Sequence, residues 1–159
     1  MQDFLNQIIK MFPNIKFEVG ENFYWSPKNK VVFYKTTIKE PKLAKWALLH
    51  EIGHALLDHK SYTTDFSLLR MESEAWQTAK QISSKFNIII PENHIQDCLD
   101  SYRDWIYKRS ICPTCNTKSF QHQIHLYRCY NCHSTWKVTS SRFCRVYRLS
   151  KSIQQLNSI

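Results

Sequence analysis

Residues 46–57, WALLHEIGHALL, leave the chain little choice of local structure. Apolar residues recur at helical spacing, and Pro41 stands ahead of them at a first-turn position. His50 and His54 then fall on one helix face, because positions four apart stack on each other. Leu43, Ala47 and Leu57 share that face, so both imidazoles are expected to point inward, where an unpaired polar group is costly. Gly53 in mid-helix costs stability relative to alanine and implies close packing. One metal ion gripped by His50 and His54 accounts for both features. Glu51, next to His50, is placed to handle a proton on a water beside that ion. A catalytic zinc takes three protein ligands and keeps one position open. A third ligand must therefore come from elsewhere.

The segment RMESEAWQTAKQI offers two carboxylates. From Glu72, steps of three and four reach Ala75, Trp76, Ala79, Ile82 and Phe86, a stripe that must face the interior. From Glu74 the same steps reach Gln77, Thr78, Gln81 and Lys85, a face suited to water. A buried carboxylate needs a partner, so Glu72 is the expected third ligand. His59 is a more distant candidate. It lies about 140° around a continuing helix from His54 and turns back only if the helix ends first.

The second constellation is Cys112-Pro-Thr-Cys115 and, thirteen residues on, Cys129-Tyr-Asn-Cys132. Two such knuckles can place Cys112, Cys115, Cys129 and Cys132 at the corners of a tetrahedron around a structural zinc with no vacancy for water. The ion would hold together a segment too short to build its own core. Cys98 and Cys144 read as a core thiol and an incidental one, and His133 as a weak substitute ligand.

Only Gly20 and Gly53 are available as glycines, which excludes Gly-rich phosphate-binding loops. A polar N-terminus and the lack of a long apolar run point to a cytoplasmic chain with no membrane partner. Six cysteines in that setting suggest thiols or metal ligands rather than disulfides. The net charge of +9 is confined to residues 103–159, where ten basic residues face the single acid Asp104. Arg128, Lys137, Arg142, Arg145, Arg148 and Lys151 could contact phosphates, with Tyr127, Tyr130, Trp136 and Tyr147 nearby for stacking. A solvated basic surface is the plainer explanation, since zinc on four thiolates carries a formal negative charge. Helices are expected over residues 3–12, 41–59, 68–86 and 92–109. IKFEV, NFYWS and KVVFYK are expected to form a three-stranded antiparallel meander.

LLHEIGHALLDH followed by ESEAWQTAKQISSKFNIIIP resembles the ImmA/IrrE family of small gluzincin metallopeptidases, over roughly residues 10–92. Glu72, Ala75, Ala79 and IIIP fit the family's second helix and the apolar run after it. Trp76 stands where Asn or Asp is more usual. The resemblance implies an α+β class: a minimal zincin fold with a short antiparallel sheet beside active-site helices, here followed by a small zinc ribbon. It also implies peptide-bond hydrolysis of an intracellular protein, and it independently makes Glu72 the ligand. The expected organisation is a peptidase domain over 1–109, a ribbon over 110–138 and a basic tail over 139–159. One zinc would be catalytic and one structural, with the ribbon recruiting protein substrate or nucleic acid. The pairing of this helix with a ribbon also resembles the SprT-like proteases of DNA-bound proteins, which use a third histidine. An adaptor with an idle centre is the non-enzymatic alternative, and it gives no physical reason for Glu51. Tyr62, His94 and Tyr102 are all chemically able to stabilise an oxyanion, and spacing selects none.

Overall fold

The computed structural model describes residues 1–140 and 148–150. Arg142, Cys144, Arg145, Tyr147, Lys151 and most of the expected basic tail lie outside the described residues. Among the described residues the fold is mixed α and β, with four helices and two small sheets. Two compact units are present. One comprises Met1–Ser61 and Arg70–Ile95, the other Tyr62–Leu69 and the residues from Gln96 on.

In the first unit, α1 (Gln2–Met11) buries Phe4, Leu5 and Ile8 on one face. Three strands follow: β1 (Lys16–Val19), β2 (Tyr24–Ser26) and β3 (Val31–Tyr34). Their order is β1-β3-β2, with β1 parallel to β3 and β2 antiparallel to it. The sheet is therefore mixed and not the expected antiparallel meander. The reason lies in β3, whose adjacent Val31 and Val32 are both buried. A strand apolar on both faces takes the middle of a sheet. The more exposed β1 and β2 are left at the edges. Gly20 extends the parallel ladder, its N–H donating to Tyr34 O at 2.8 Å.

Helix α2 (Pro41–Leu56) buries Trp46, Leu48, Leu49 and Ile52 in this unit's core. Leu43 and Leu57 are exposed rather than buried, so the inward stripe is not the one expected from the sequence. His50 and His54 are buried all the same. Helix α3 (Asp65–Ser84) begins three residues earlier than expected. Thr64 and Ser67 cap it reciprocally, each side-chain oxygen accepting the other's backbone N–H at 3.0 Å. Gly53 of α2 lies against the α3 backbone. A Cβ built on it would stand 2.4 Å from Ala75 O and 3.2 Å from Ala75 Cα. No side chain fits there.

The second unit holds most of α4 (Glu92–Ser110) and a four-stranded antiparallel sheet. Its strands, in order, are β4 (Phe120–Gln123), β5 (Leu126–Arg128), β6 (Thr135–Val138) and β7 (Arg148–Ser150). Tyr127 and Trp136 are cross-strand partners, stacked 5.5 Å apart and essentially fully buried. They form the small core here, which rules out their expected role as base-stacking platforms. Arg109 is buried against Trp105 and Tyr127, near Asp65 at 3.8 Å. The Tyr127 hydroxyl donates to Asp65. Burial, reinforced by that carboxylate, pushes the Tyr127 phenol up, so it remains a donor. Among the described residues, no helix is long and apolar enough to cross a membrane.

Gly53→Ala should cost about 1–3 kcal/mol of stability, the usual range for overpacking against a fixed neighbour. Its denaturation midpoint compared with that of the unaltered chain checks this.

Candidate metal centres

The carboxyl-terminal half of α2 brings His50 and His54 to the α3 residue Glu72. Glu72 Oε2 lies 3.2 Å from His50 Nε2 and 3.6 Å from His54 Nε2, and the two nitrogens are 3.1 Å apart. Three ligand atoms at zinc bond lengths of about 2.0–2.1 Å in a tetrahedral arrangement stand about 3.3 Å from one another. The donor set therefore fits one small ion that takes nitrogen and oxygen ligands. All three residues retain less than a tenth of their exposure. Burial alone would raise the Glu72 carboxyl. Hydrogen bonds and charge from His50 and His54 outweigh it and hold the group well below the usual carboxylate range.

Around this triangle the sequence gives partial warning at best. Glu51 is half-buried, and its Oε2 accepts the Trp25 backbone N–H at 2.7 Å. The general-base candidate is thus tied to edge strand β2. The Trp76 ring stacks on His50 at 4.2 Å and 26°. His50 Nδ1 is buried with no hydrogen-bond partner among the described residues. His94 packs on Trp46 and Trp76 at 4.5 and 5.5 Å, in an aromatic layer with His50. Tyr62 and Tyr102 belong to the second unit.

His59 does turn back, because α2 ends at Leu56. It does not join the triangle. Its Nδ1 lies 2.8 Å from His54 Nδ1, the nitrogen on the other side of that ring from Nε2. Its Nε2 lies 3.4 Å from Glu74 Oε2, and its carbonyl accepts the Trp25 indole N–H at 2.8 Å. Burial first, then the neighbouring His54, push His59 below its ordinary range against the opposing pull of Glu74. Glu74 is nearly half exposed, as its helix face suggests, yet it is engaged.

In the second unit, the sulfurs of Cys112, Cys115, Cys129 and Cys132 all lie within 4.8 Å of one another. Cys112 Sγ is 3.6 Å from Cys132 Sγ, and Cys115 Sγ is 3.5 Å from Cys129 Sγ. A tetrahedron with Zn–S bonds of about 2.3 Å has edges of about 3.8 Å, so this set also fits an ion. The two knuckles are built alike. The residue after each second cysteine, Asn116 or His133, has positive φ, 58° and 61°. The first cysteine's N–H donates to the carbonyl five residues on, Thr117 or Ser134, at 2.9 Å. His133 thus serves the turn, and its side chain is exposed. The Thr117 hydroxyl, then its backbone N–H, lower the Cys115 thiol to about 5, which favours the thiolate a metal needs. Cys98 is half-buried and stands outside the quartet.

The intact chain should bind two metal ions. Replacing Cys112 and Cys129 with serine should remove one. Glu72→Ala should weaken the other by more than the roughly 10- to 100-fold that loss of an outer-shell partner costs. Metal analysis of the three proteins after dialysis checks this.

Comparison with protein-family models, with curated proteins and with solved structures returns no match for this chain.

Proposed function

We propose that the chain is a zinc-dependent peptidase of the gluzincin type, similar to ImmA/IrrE proteins, acting on an intracellular protein. The observation that carries this reading is the convergence of His50, His54 and Glu72 on one point, with Glu51 next in sequence to a ligand and tied to a sheet edge. A purely structural ion would need no such carboxylate. When bound, zinc supplies a Lewis acid that polarises the scissile carbonyl and acidifies water. Glu51 accepts the proton of the attacking water and returns it to the departing amine. The Trp25 N–H fixes its carboxylate in place between those two transfers.

Substrate binding follows from the same elements. β2 is an edge strand, so an extended peptide can add beside it through main-chain hydrogen bonds. A groove of roughly 690 Å³, lined by Phe23, Thr37, Leu43 and Ala44, runs to Ala47, one helical turn before Glu51. Its mainly apolar walls suit an apolar substrate side chain.

His59 contacts the wrong nitrogen of His54 to act as a third-histidine ligand, which weighs against the SprT-like alternative. The four-cysteine unit is read as a zinc ribbon that recruits substrate or nucleic acid. Arg128, Lys137 and Arg148 support this, being exposed in a segment that carries no acid beyond Asp104. Any such nucleic-acid binding would be salt-dependent and sequence-tolerant.

Glu51→Gln keeps the side chain's size but cannot take a proton. It should leave the metal content unchanged while slowing hydrolysis of an unfolded protein such as casein by about 100-fold or more. Undiminished turnover in this variant would remove Glu51 from the reaction and with it the proposed mechanism.

A further inference from the structure

The end of α2 carries a backbone motif that no glycine announces. Asp58 adopts the left-handed conformation at φ 49°, the place that glycine usually fills after a helix. Its N–H donates to Ala55 O at 3.2 Å, and the His59 N–H donates to His54 O at 3.0 Å. These are the paired bonds of a Schellman turn, which folds the second residue past the cap back onto the residue five before it. Here the two residues brought together are both histidines.

Their atoms determine the protons. His54 directs Nε2 at Glu72 and His50, so a ligating His54 must carry its proton on Nδ1. The atom facing that proton, at 2.8 Å, is His59 Nδ1, which must then be an acceptor. The His59 proton is left on Nε2, the nitrogen that faces Glu74 Oε2 at 3.4 Å. The Trp25 indole holds the His59 carbonyl independently of the ring.

On the reading of His50, His54 and Glu72 as a metal centre, we propose that Glu74 and His59 are positioning residues. They form a chain, Glu74 to His59 to His54, that locks the ligand tautomer and aims its Nε2 lone pair at the ion. Metal-ligating histidines commonly donate their second N–H to an outer partner that raises their basicity. In this chain that partner is a second histidine backed by a carboxylate. His50 has no such partner, since its Nδ1 is unpaired among the described residues and Trp76 stacks on its ring. The outer support of the centre therefore falls on the His54 side. The face of Glu74 that looked merely solvated from the sequence has a use.

The test uses the full chain with its four-cysteine site filled by one equivalent of zinc, and titrates a second equivalent against a chromophoric chelator. His59→Phe should weaken the second equivalent by about 10- to 100-fold. His59→Gln, whose amide oxygen can accept the His54 N–H, should recover most of that loss. Glu74→Ala should weaken binding less. The double variant with His59→Phe should bind no more weakly than His59→Phe alone, because Glu74 acts through His59. In nuclear magnetic resonance spectra of the metal-loaded chain, the His54 Nδ1 proton should exchange slowly in the wild type and in His59→Gln, and fast in His59→Phe. Wild-type affinity in His59→Phe, or additive losses in the double variant, would overturn the positioning role. A wild-type chain that takes up no second equivalent, or a His50→Ala chain that still does, would instead refute the centre itself.

Discussion

The buried centre depends on how closely α2 and α3 pass at Gly53 and Ala75. A single methyl group on Gly53 would lie 2.4 Å from the Ala75 carbonyl oxygen. His50 and Glu72 each stand three residues before that contact, on the same helices. Side chains as short as histidine and glutamate meet only if the backbones behind them nearly touch. The stability cost of a mid-helix glycine is thus the condition for three ligand atoms to share one point.

The approach has a second consequence. It places two imidazoles and a carboxylate on helices whose other buried residues include Leu48, Leu49, Ile52, Ala75 and Ala79. Buried polar groups at such a site must satisfy one another or a bound ion. The surroundings support them unequally. Trp25 serves twice, its backbone N–H on Glu51 and its indole N–H on the His59 carbonyl. One residue of an edge strand thereby ties Glu51 and His59 to the same sheet.

Much of this was legible in the sequence, for reasons that can be named. The periodicity around Glu72 separated a buried face, Ala75, Trp76, Ala79 and Ile82, from the wetter face of Glu74. The two CxxC knuckles announced a four-sulfur cluster, because local turns alone bring each pair together. The strand order was not legible. Three short apolar runs fit a meander and a mixed sheet equally well, and the doubly buried pair Val31–Val32 decided between them. Nor was the role of His59. Its position hangs on Asp58 taking a left-handed conformation that asparagine and aspartate tolerate but glycine usually marks. Trp25 could not be found at all from pattern, since it acts through its backbone and its carbonyl-seeking indole across 26 and 34 residues. The aromatics of the four-cysteine unit misled in the opposite direction. Tyr127 and Trp136 sit beside basic residues in sequence but face the core in space.

The most direct measurement of the account is a zinc-edge X-ray absorption spectrum of the intact chain loaded with two equivalents of zinc. Two sites of the described composition predict two shells of comparable weight, sulfur at about 2.3 Å and nitrogen or oxygen at about 2.0–2.1 Å. A spectrum with a sulfur shell alone would mean that His50, His54 and Glu72 do not hold zinc. That would contradict the account at its centre.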